Sequence, residues 1–135
     1  MIRVLANGVF DILHYGHVLY LEAAAKLGDR LIVAVTRDAF VNKGPGRPTN
    51  GERHRLAVIK AIRYVDEAFL CDDSLDALEL THPNIFVKGY DYRGKIEKRH
   101  SDYCKANGIT ICFTTTPIFS ATKIINDRLR ESQGL

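Results

Sequence analysis

The chain is expected to fold as an α/β protein, a Rossmann-like parallel sheet flanked by helices and forming a single domain over residues 1–135. Three observations lead there. Short apolar runs alternate with longer amphipathic segments, as strands and their crossover helices do. Leu31 to Val35 is continuously apolar between charged neighbours, as a strand buried on both faces must be. The 135 residues, 46% hydrophobic and 26% charged, suit one core of ordinary composition.

In chain order, Ile2 to Ala6 reads as the first strand and Val18 to Leu27 as a helix ended by Gly28. Leu31 to Val35 is the second strand. The polar stretch Arg37 to Asn50, with Gly44, Pro45, Gly46 and Pro48, is a loop long enough to be functional. Thr49-Asn50-Gly51-Glu52 has capping-box spacing and should open a helix running to about Tyr64. Glu67 to Leu70 is a short strand, Ser74 to Leu80 a short helix before Pro83, and Ile85 to Val87 another strand. A helix covers much of Ile96 to Ala106 and is closed by Asn107-Gly108. Ile109 to Thr114 is the last strand and Ala121 to Arg130 the last helix. Right-handed crossovers then give a parallel sheet covered on both faces, with ligand expected at the carboxyl ends of its strands near the switch point.

Composition narrows the function. A formal net charge of +3 is too small to imply nucleic-acid or membrane binding. Cys71, Cys104 and Cys112 form no Cys-x-x-Cys pair, so a zinc finger or disulfide framework is not expected. The first residues lack a basic region followed by an apolar run and cleavage site, and no apolar stretch is long enough to span a bilayer. A cytoplasmic protein is the expectation. A redox dinucleotide domain is disfavoured, because no Gly-x-Gly-x-x-Gly follows the first strand.

The most informative segment is Gly8-Val9-Phe10-Asp11-Ile12-Leu13-His14-Tyr15-Gly16-His17, between the first strand and the first helix. Gly8 allows a backbone conformation or an approach that a side chain forbids. Gly16 lets a group come close to the helix entrance. His14 and His17, three apart, share a side if the turn is helical. A helix start offers unpaired N–H groups and a positive dipole end. Two imidazoles there can donate to phosphate oxygens whose charge grows as phosphorus is attacked. As metal ligands the pair is incomplete, with no Cys or His cluster nearby.

On these residues the sequence resembles the cytidylyltransferase-like family of nucleotidyltransferases, whose signature is this His-x-Gly-His stretch. The resemblance runs along nearly the whole chain. It implies an enzyme that transfers a nucleoside monophosphate from a nucleoside triphosphate, ATP or CTP, to a phosphorylated sugar or polyol, releasing pyrophosphate. It implies catalytic roles for His14, His17 and Lys43, the last being the family's mobile phosphate-binding lysine. Gly8, Val9, Phe10, Gly16, Lys88, Ser120, Ala121 and Thr122 would bind the nucleotide, and Asp11, Arg55 and Asp91 the other substrate. Ser120-Ala121-Thr122-Lys123 is similar to the family's Ile-Ser-(Ser/Thr)-Thr signature.

Several of these residues carry a second reading. Asp11 could orient its loop through backbone hydrogen bonds, and Lys43 could be a solvated loop lysine. Arg55 could be an exposed helix residue or pair with Glu52, and Ser120 and Thr122 could only cap their helix. Mg2+ is implied with the nucleotide, carried by phosphate oxygens and water, and no metal site in the protein is implied.

Lys88-Gly89-Tyr90-Asp91-Tyr92, Asp29 to Val35 and Arg47-Pro48 resemble the family's heptose-1-phosphate adenylyltransferase branch. Ile62 to Glu67 and Gly94-Lys95 resemble its glycerol-3-phosphate cytidylyltransferase branch. Thr115 and Ile118 depart from the arginine and glycine usual before the signature serine. The heptose-type acceptor with ATP is the first expectation, glycerol 3-phosphate with CTP the second, and a non-catalytic nucleotide-binding module a third of another class. Family members are commonly dimers, so a homodimer is expected, with apolar residues near Ile62 to Phe69 set aside for its interface.

Overall fold

The computed structural model of the chain describes residues 1–115. The helix expected at Ala121 to Arg130, and Ser120, Ala121 and Thr122 with it, lie outside the described residues. Within them are β1 (Arg3–Gly8), α1 (Tyr15–Ala25), β2 (Arg30–Thr36), α2 (Glu52–Lys60), β3 (Glu67–Cys71), α3 (Ser74–Thr81), β4 (Ile85–Lys88), α4 (Lys98–Ala106) and β5 (Thr110–Phe113). Short 3-10 turns occupy Asp38–Phe40 and Tyr90–Tyr92.

The strands form one parallel sheet in the order β3-β2-β1-β4-β5. The register follows the apolar pattern, with Val4 opposite Leu31, Ala6 opposite Val33 and Leu5 opposite Phe86. Alternate strand residues face opposite layers. Val4, Ala6, Leu31, Val33, Val35 and Val87 pack with Leu21 and Ala24 of α1 and Ile59 of α2. Leu5, Ile32, Ala34 and Phe86 pack with Ala77 and Leu78 of α3 and Cys104 of α4. The chain builds outward from β1 to β3, then returns to place β4 on the other side of β1. The switch point is therefore the carboxyl end of β1 and β4, where a crevice opens.

Local departures from the expected pattern have physical causes. Helix α1 ends at Ala25, so Gly28 is not its left-handed cap. A Cβ on Gly28 would lie 2.7 Å from the Ile2 carbonyl oxygen and 2.8 Å from Val4 Cγ2, so glycine is needed for close approach to β1. The capping box expected at Thr49 does not form. Gly51 takes the N-cap position, because the Thr49 and Asn50 amides are drawn to Asp11 and Glu52 accepts from the Asp38 amide. Helix α2 stops at Lys60, four residues early, in a tightened turn in which Ala61 N donates to Val58 O and Ile62 N to Ile59 O. Helix α3 starts on Asp73, whose carboxylate accepts from Asp76 N, and ends on His82 in the left-handed region at φ 45°. The Arg3 guanidinium binds the last carbonyls, Thr81 O and His82 O.

Apolar side chains set aside for an interface are partly used within the chain. Ile62, Tyr64, Val65 and Ala68 pack against the core on the α1 and α2 face. No described helix is long and apolar enough to cross a membrane.

Gly28→Ala should destabilise the fold by about 1–3 kcal/mol, because the added methyl meets backbone rather than a movable side chain. Urea unfolding checks it; a variant as stable as the parent would mean that β1 and α1 can separate freely.

Candidate active site

A cleft of about 340 Å³ opens at the switch point, lined among others by Gly8, Phe10, His14, His17, Lys43, Lys88 and Asp91. Two histidines make its floor at the entrance of α1. His14 is the N-cap, with extended backbone, and its Nδ1 accepts from the Gly16 amide at 3.1 Å. The Nδ1 of His17, three residues on, accepts from the His14 amide at 3.2 Å. This is a reciprocal capping box in which imidazoles replace the usual hydroxyl and carboxylate. With both Nδ1 atoms accepting, each ring carries its proton on Nε2, a donor available to the cleft.

The rings lie with centroids 4.1 Å apart, and His17 meets Phe10 edge-on at 5.6 Å. Phe10 sits at φ 50°, a strained position for a bulky residue. Its ring lies over Gly8, where a Cβ would approach Phe10 Cε2 to 2.9 Å. Close approach is therefore the reason for glycine at position 8. Burial lowers the pKa of His14. Burial, the His14 ring and the Lys43 ammonium together depress His17 to about 4. Both rings are neutral donors at neutral pH.

Asp11 does not line the cleft. Its carboxylate accepts from Thr49 N and Asn50 N at 2.8 Å each and from Arg47 Nε at 3.1 Å, and its carbonyl takes Asn50 Nδ2. Burial alone would raise its pKa, but the two amides and Arg47 outweigh that and hold it below the ordinary aspartate value. Arg55 has no exposed side-chain surface. It donates to Asn50 O, to Val9 O at 2.8 Å and to Asp38 Oδ1 at 2.6 Å, and does not pair with Glu52. In this structure the hydrogen bonds of Asp11 and Arg55 are made within the protein, and the two residues together form a clamp. The clamp ties the loop's carboxyl end to the β1–α1 turn. The middle of the loop carries Lys43 to the cleft, near His17.

Lys88, at the end of β4, lines the opposite wall. Its Nζ lies 3.5 Å from Ser74 Oγ, 4.8 Å from the Tyr92 ring centroid and 5.3 Å from that of Phe86. Burial lowers its pKa. Val9, Gly16 and Asp91 also line the cleft. Residues with no role in the sequence reading join them: Asn7, Thr36 and Thr114, with Tyr20, whose hydroxyl donates to Val87 O. Asn7, Thr36 and Lys88 are polar side chains at the carboxyl ends of apolar strands, and Thr114 follows β5. That signal was present in the sequence.

The model of the cytidylyltransferase-like family matches residues 5–127, spanning strand, histidine turn and cleft together. The chain belongs to that family. It is a nucleotidyltransferase.

Among its relatives, the FAD synthase of Aciduliprofundum boonei is 42% identical over 113 residues, 82% of this chain and 75% of that protein. The bifunctional protein HldE of Photobacterium profundum is 50% identical over 135 residues, 97% of this chain but only 28% of that protein. The chain thus spans about a quarter of the HldE proteins it matches. The crystal structure of the lipopolysaccharide core biosynthesis protein from Thermoplasma volcanium superposes with a TM-score of 0.75 at 38% identity. It covers 87% of this chain and 98% of that one.

The depressed His17 fixes a pH dependence. Unfolded histidine titrates near 6.5 and folded His17 near 4, so between these values the unfolded state binds more protons. Stability is full above about pH 6.5 and falls as pH drops toward 4. His17→Asn should lose about 2 kcal/mol less than the parent between pH 7 and pH 4.5, after allowance for partial solvent screening. Chemical denaturation at both pH values measures this, and equal losses would contradict a neutral, buried ring.

Proposed function

We propose that this nucleotidyltransferase transfers AMP from ATP to the phosphate of a heptose-1-phosphate-type sugar, releasing pyrophosphate. The observation that carries the reading is the histidine capping box, which sets two neutral Nε2–H donors at a helix N-terminus inside the cleft. The sugar-phosphate assignment is supported by the segment shared with the heptose branch. Lys88, Gly89, Asp91 and Tyr92 all face the same cleft. The likeness to HldE proteins and to a lipopolysaccharide core biosynthesis protein points the same way.

The reaction is an in-line displacement. An oxygen of the acceptor phosphate forms a bond to the α-phosphorus, and the bond from that phosphorus to the bridging oxygen of pyrophosphate breaks, the electron pair leaving with pyrophosphate. The attacking oxygen is already anionic, so no proton has to be removed from it. His14 and His17 donate to the non-bridging oxygens of the α-phosphate, whose charge rises in the transition state. Lys43, on its clamped loop, neutralises charge along the phosphate chain, and Ser120 and Thr122 hold the leaving pyrophosphate. Mg2+ accompanies the nucleotide and supplies further charge neutralisation. Donors dominate the described cleft walls and Asp91 is their one carboxylate, a set that suits an ion held mainly by phosphate oxygens.

The FAD synthase relative favours a second reading, in which the acceptor is FMN and the product a flavin dinucleotide. Both readings transfer AMP. Pyrophosphate release with ATP or CTP against heptose 1-phosphate, FMN and glycerol 3-phosphate separates them. Brisk turnover of heptose 1-phosphate with ATP is expected. Turnover confined to FMN, or to glycerol 3-phosphate with CTP, would overturn the acceptor assignment.

The role of His14 is separable from its role as a cap. Asparagine caps helices as well as any residue but lacks the Nε2–H. His14→Asn should keep the parent's thermal midpoint while kcat falls by about 100–1,000-fold. Pyrophosphate release at the parent's rate would remove His14 from the chemistry.

A further inference from the structure

The cleft has two cationic ends on opposite faces of the sheet. His14, His17 and Lys43 stand at α1, which packs on one face, while Lys88 shares the other face with Phe86 and reaches the first residue of α3. Lysine is a long, flexible chain, and an ammonium in a half-buried position needs something to aim it. Here the aim comes from a directional chain of side chains. Lys88 Nζ approaches Ser74 Oγ at 3.5 Å, the Ser74 hydroxyl donates to Asn7 Oδ1 at 2.6 Å, and Asn7 Nδ2 donates to Ala34 O at 2.9 Å. Asn7 is thereby fixed to the backbone of β2, and its carbonyl oxygen turns the serine so that a lone pair faces the ammonium.

Ser74 is not needed to start α3. That cap is the Asp73 carboxylate, which accepts from Asp76 N. Its hydroxyl, buried at 6% exposure, is committed to Asn7 and Lys88. Lys88 lacks a counter-charge: Asp91 and Glu97 act on it from a distance, but among the described residues no carboxylate lies within 4.0 Å of its nitrogen. The aromatic faces of Tyr92 and Phe86 support the cation without neutralising it. The contact to Ser74 is long and leaves ammonium protons for a ligand.

We propose that Ser74 and Asn7 are positioning residues that hold the Lys88 ammonium as the receptor for the acceptor's phosphate, on the α3 side of the cleft and apart from the triphosphate at α1. The inference deepens the nucleotidyl-transfer reading and rests on it for the identity of the anion. It does not depend on which sugar carries the phosphate.

The test uses inorganic phosphate as the probe, with the full chain first saturated with pyrophosphate to fill the α1 end. Calorimetry should show phosphate binding to the parent. Ser74→Ala should weaken it about 5–10-fold, the loss expected for one hydrogen bond to a charged group. In a Lys88→Met background, which itself binds phosphate poorly, Ser74→Ala should have no further effect, since the serine acts through the lysine. Thermal unfolding of each variant separates lost aim from lost fold.

Turnover gives a second readout with whichever acceptor supports pyrophosphate release. Ser74→Ala should raise KM for the acceptor 5–10-fold and leave kcat and the nucleotide KM within about twofold. A parent that binds no phosphate over pyrophosphate, an unchanged affinity in Ser74→Ala, or a rise in nucleotide KM alone would each overturn the proposal. If no acceptor is turned over while the calorimetric cycle behaves as described, the acceptor reading fails and the aimed lysine stands.

Discussion

Two hydrogen bonds at the start of α1 both begin that helix and set the two histidines that face the cleft. A helix start leaves backbone N–H groups without partners, and a serine or aspartate usually accepts one of them. Here the acceptors are imidazole Nδ1 atoms, one from His14 to Gly16 N and one from His17 to His14 N. An accepting Nδ1 forces the ring proton onto Nε2, so the bonds that begin the helix also choose the tautomer. A carboxylate in the same place would satisfy the helix and leave nothing to donate. Phe10 completes the arrangement: its ring braces His17 edge-on, and it reaches that place by adopting a positive φ above a glycine. The strain is borne beside the reactive groups, where such strain is found when surrounding contacts over-determine it.

The long loop is governed by a second constraint, the burial of charge. A buried carboxylate and a buried guanidinium are tolerable only when their hydrogen bonds are satisfied. Asp11 gathers the amides of residues 49 and 50 with Arg47, and Arg55 gathers Asn50 O, Val9 O and Asp38. Asp11 therefore ties the loop's carboxyl end to the turn that bears the histidines, and Arg55 joins both ends of the loop to that turn. The tip makes no such contacts at its glycines: Gly44 and Gly46 have positive φ and open space around them. A loop fixed at its base and open at its tip can bring Lys43 to a polyanion without unfolding its anchor.

The sheet was legible because a parallel strand buried on both faces leaves an unbroken apolar run, and Leu31 to Val35 is one. The histidine turn was legible because six residue types had to coincide at a strand–helix junction. Tertiary competition set the rest. Thr49 and Glu52 have capping-box spacing, but Asp11, 38 residues earlier, captures the amides of 49 and 50 and moves the cap to Gly51. Gly28 looked like a helix terminator and is a contact with β1. Arg55 reads from sequence as a substrate contact or an exposed helix residue, and it is buried, because Val9 and Asp38 from segments distant in the chain join Asn50 as its acceptors. Asn7 and Thr36 satisfy the strand-end rule, while Ser74 does not. Ser74 offers no such signal, since its hydroxyl matters only once α3 is laid against β1 and β4.

The electrostatics of the cleft explain why neutral rings suit it. Lys43, Lys88 and the N-terminus of α1 place positive potential around a space whose described walls hold a single carboxylate, Asp91. Burial, with His14 and Lys43, holds the His17 pKa down near 4. Any polyanion entering the cleft works in the opposite direction. It offsets the surrounding cations and raises the proton affinity of both imidazoles. In the proposed reaction, negative charge growing on a phosphate oxygen would strengthen the hydrogen bond that each Nε2–H donates to it. A ring already protonated in the empty cleft would add to the repulsion among the cations and destabilise the fold. A neutral ring avoids that penalty and keeps its Nε2–H for a ligand, which is how burial and cationic neighbours at this turn would serve the proposed chemistry.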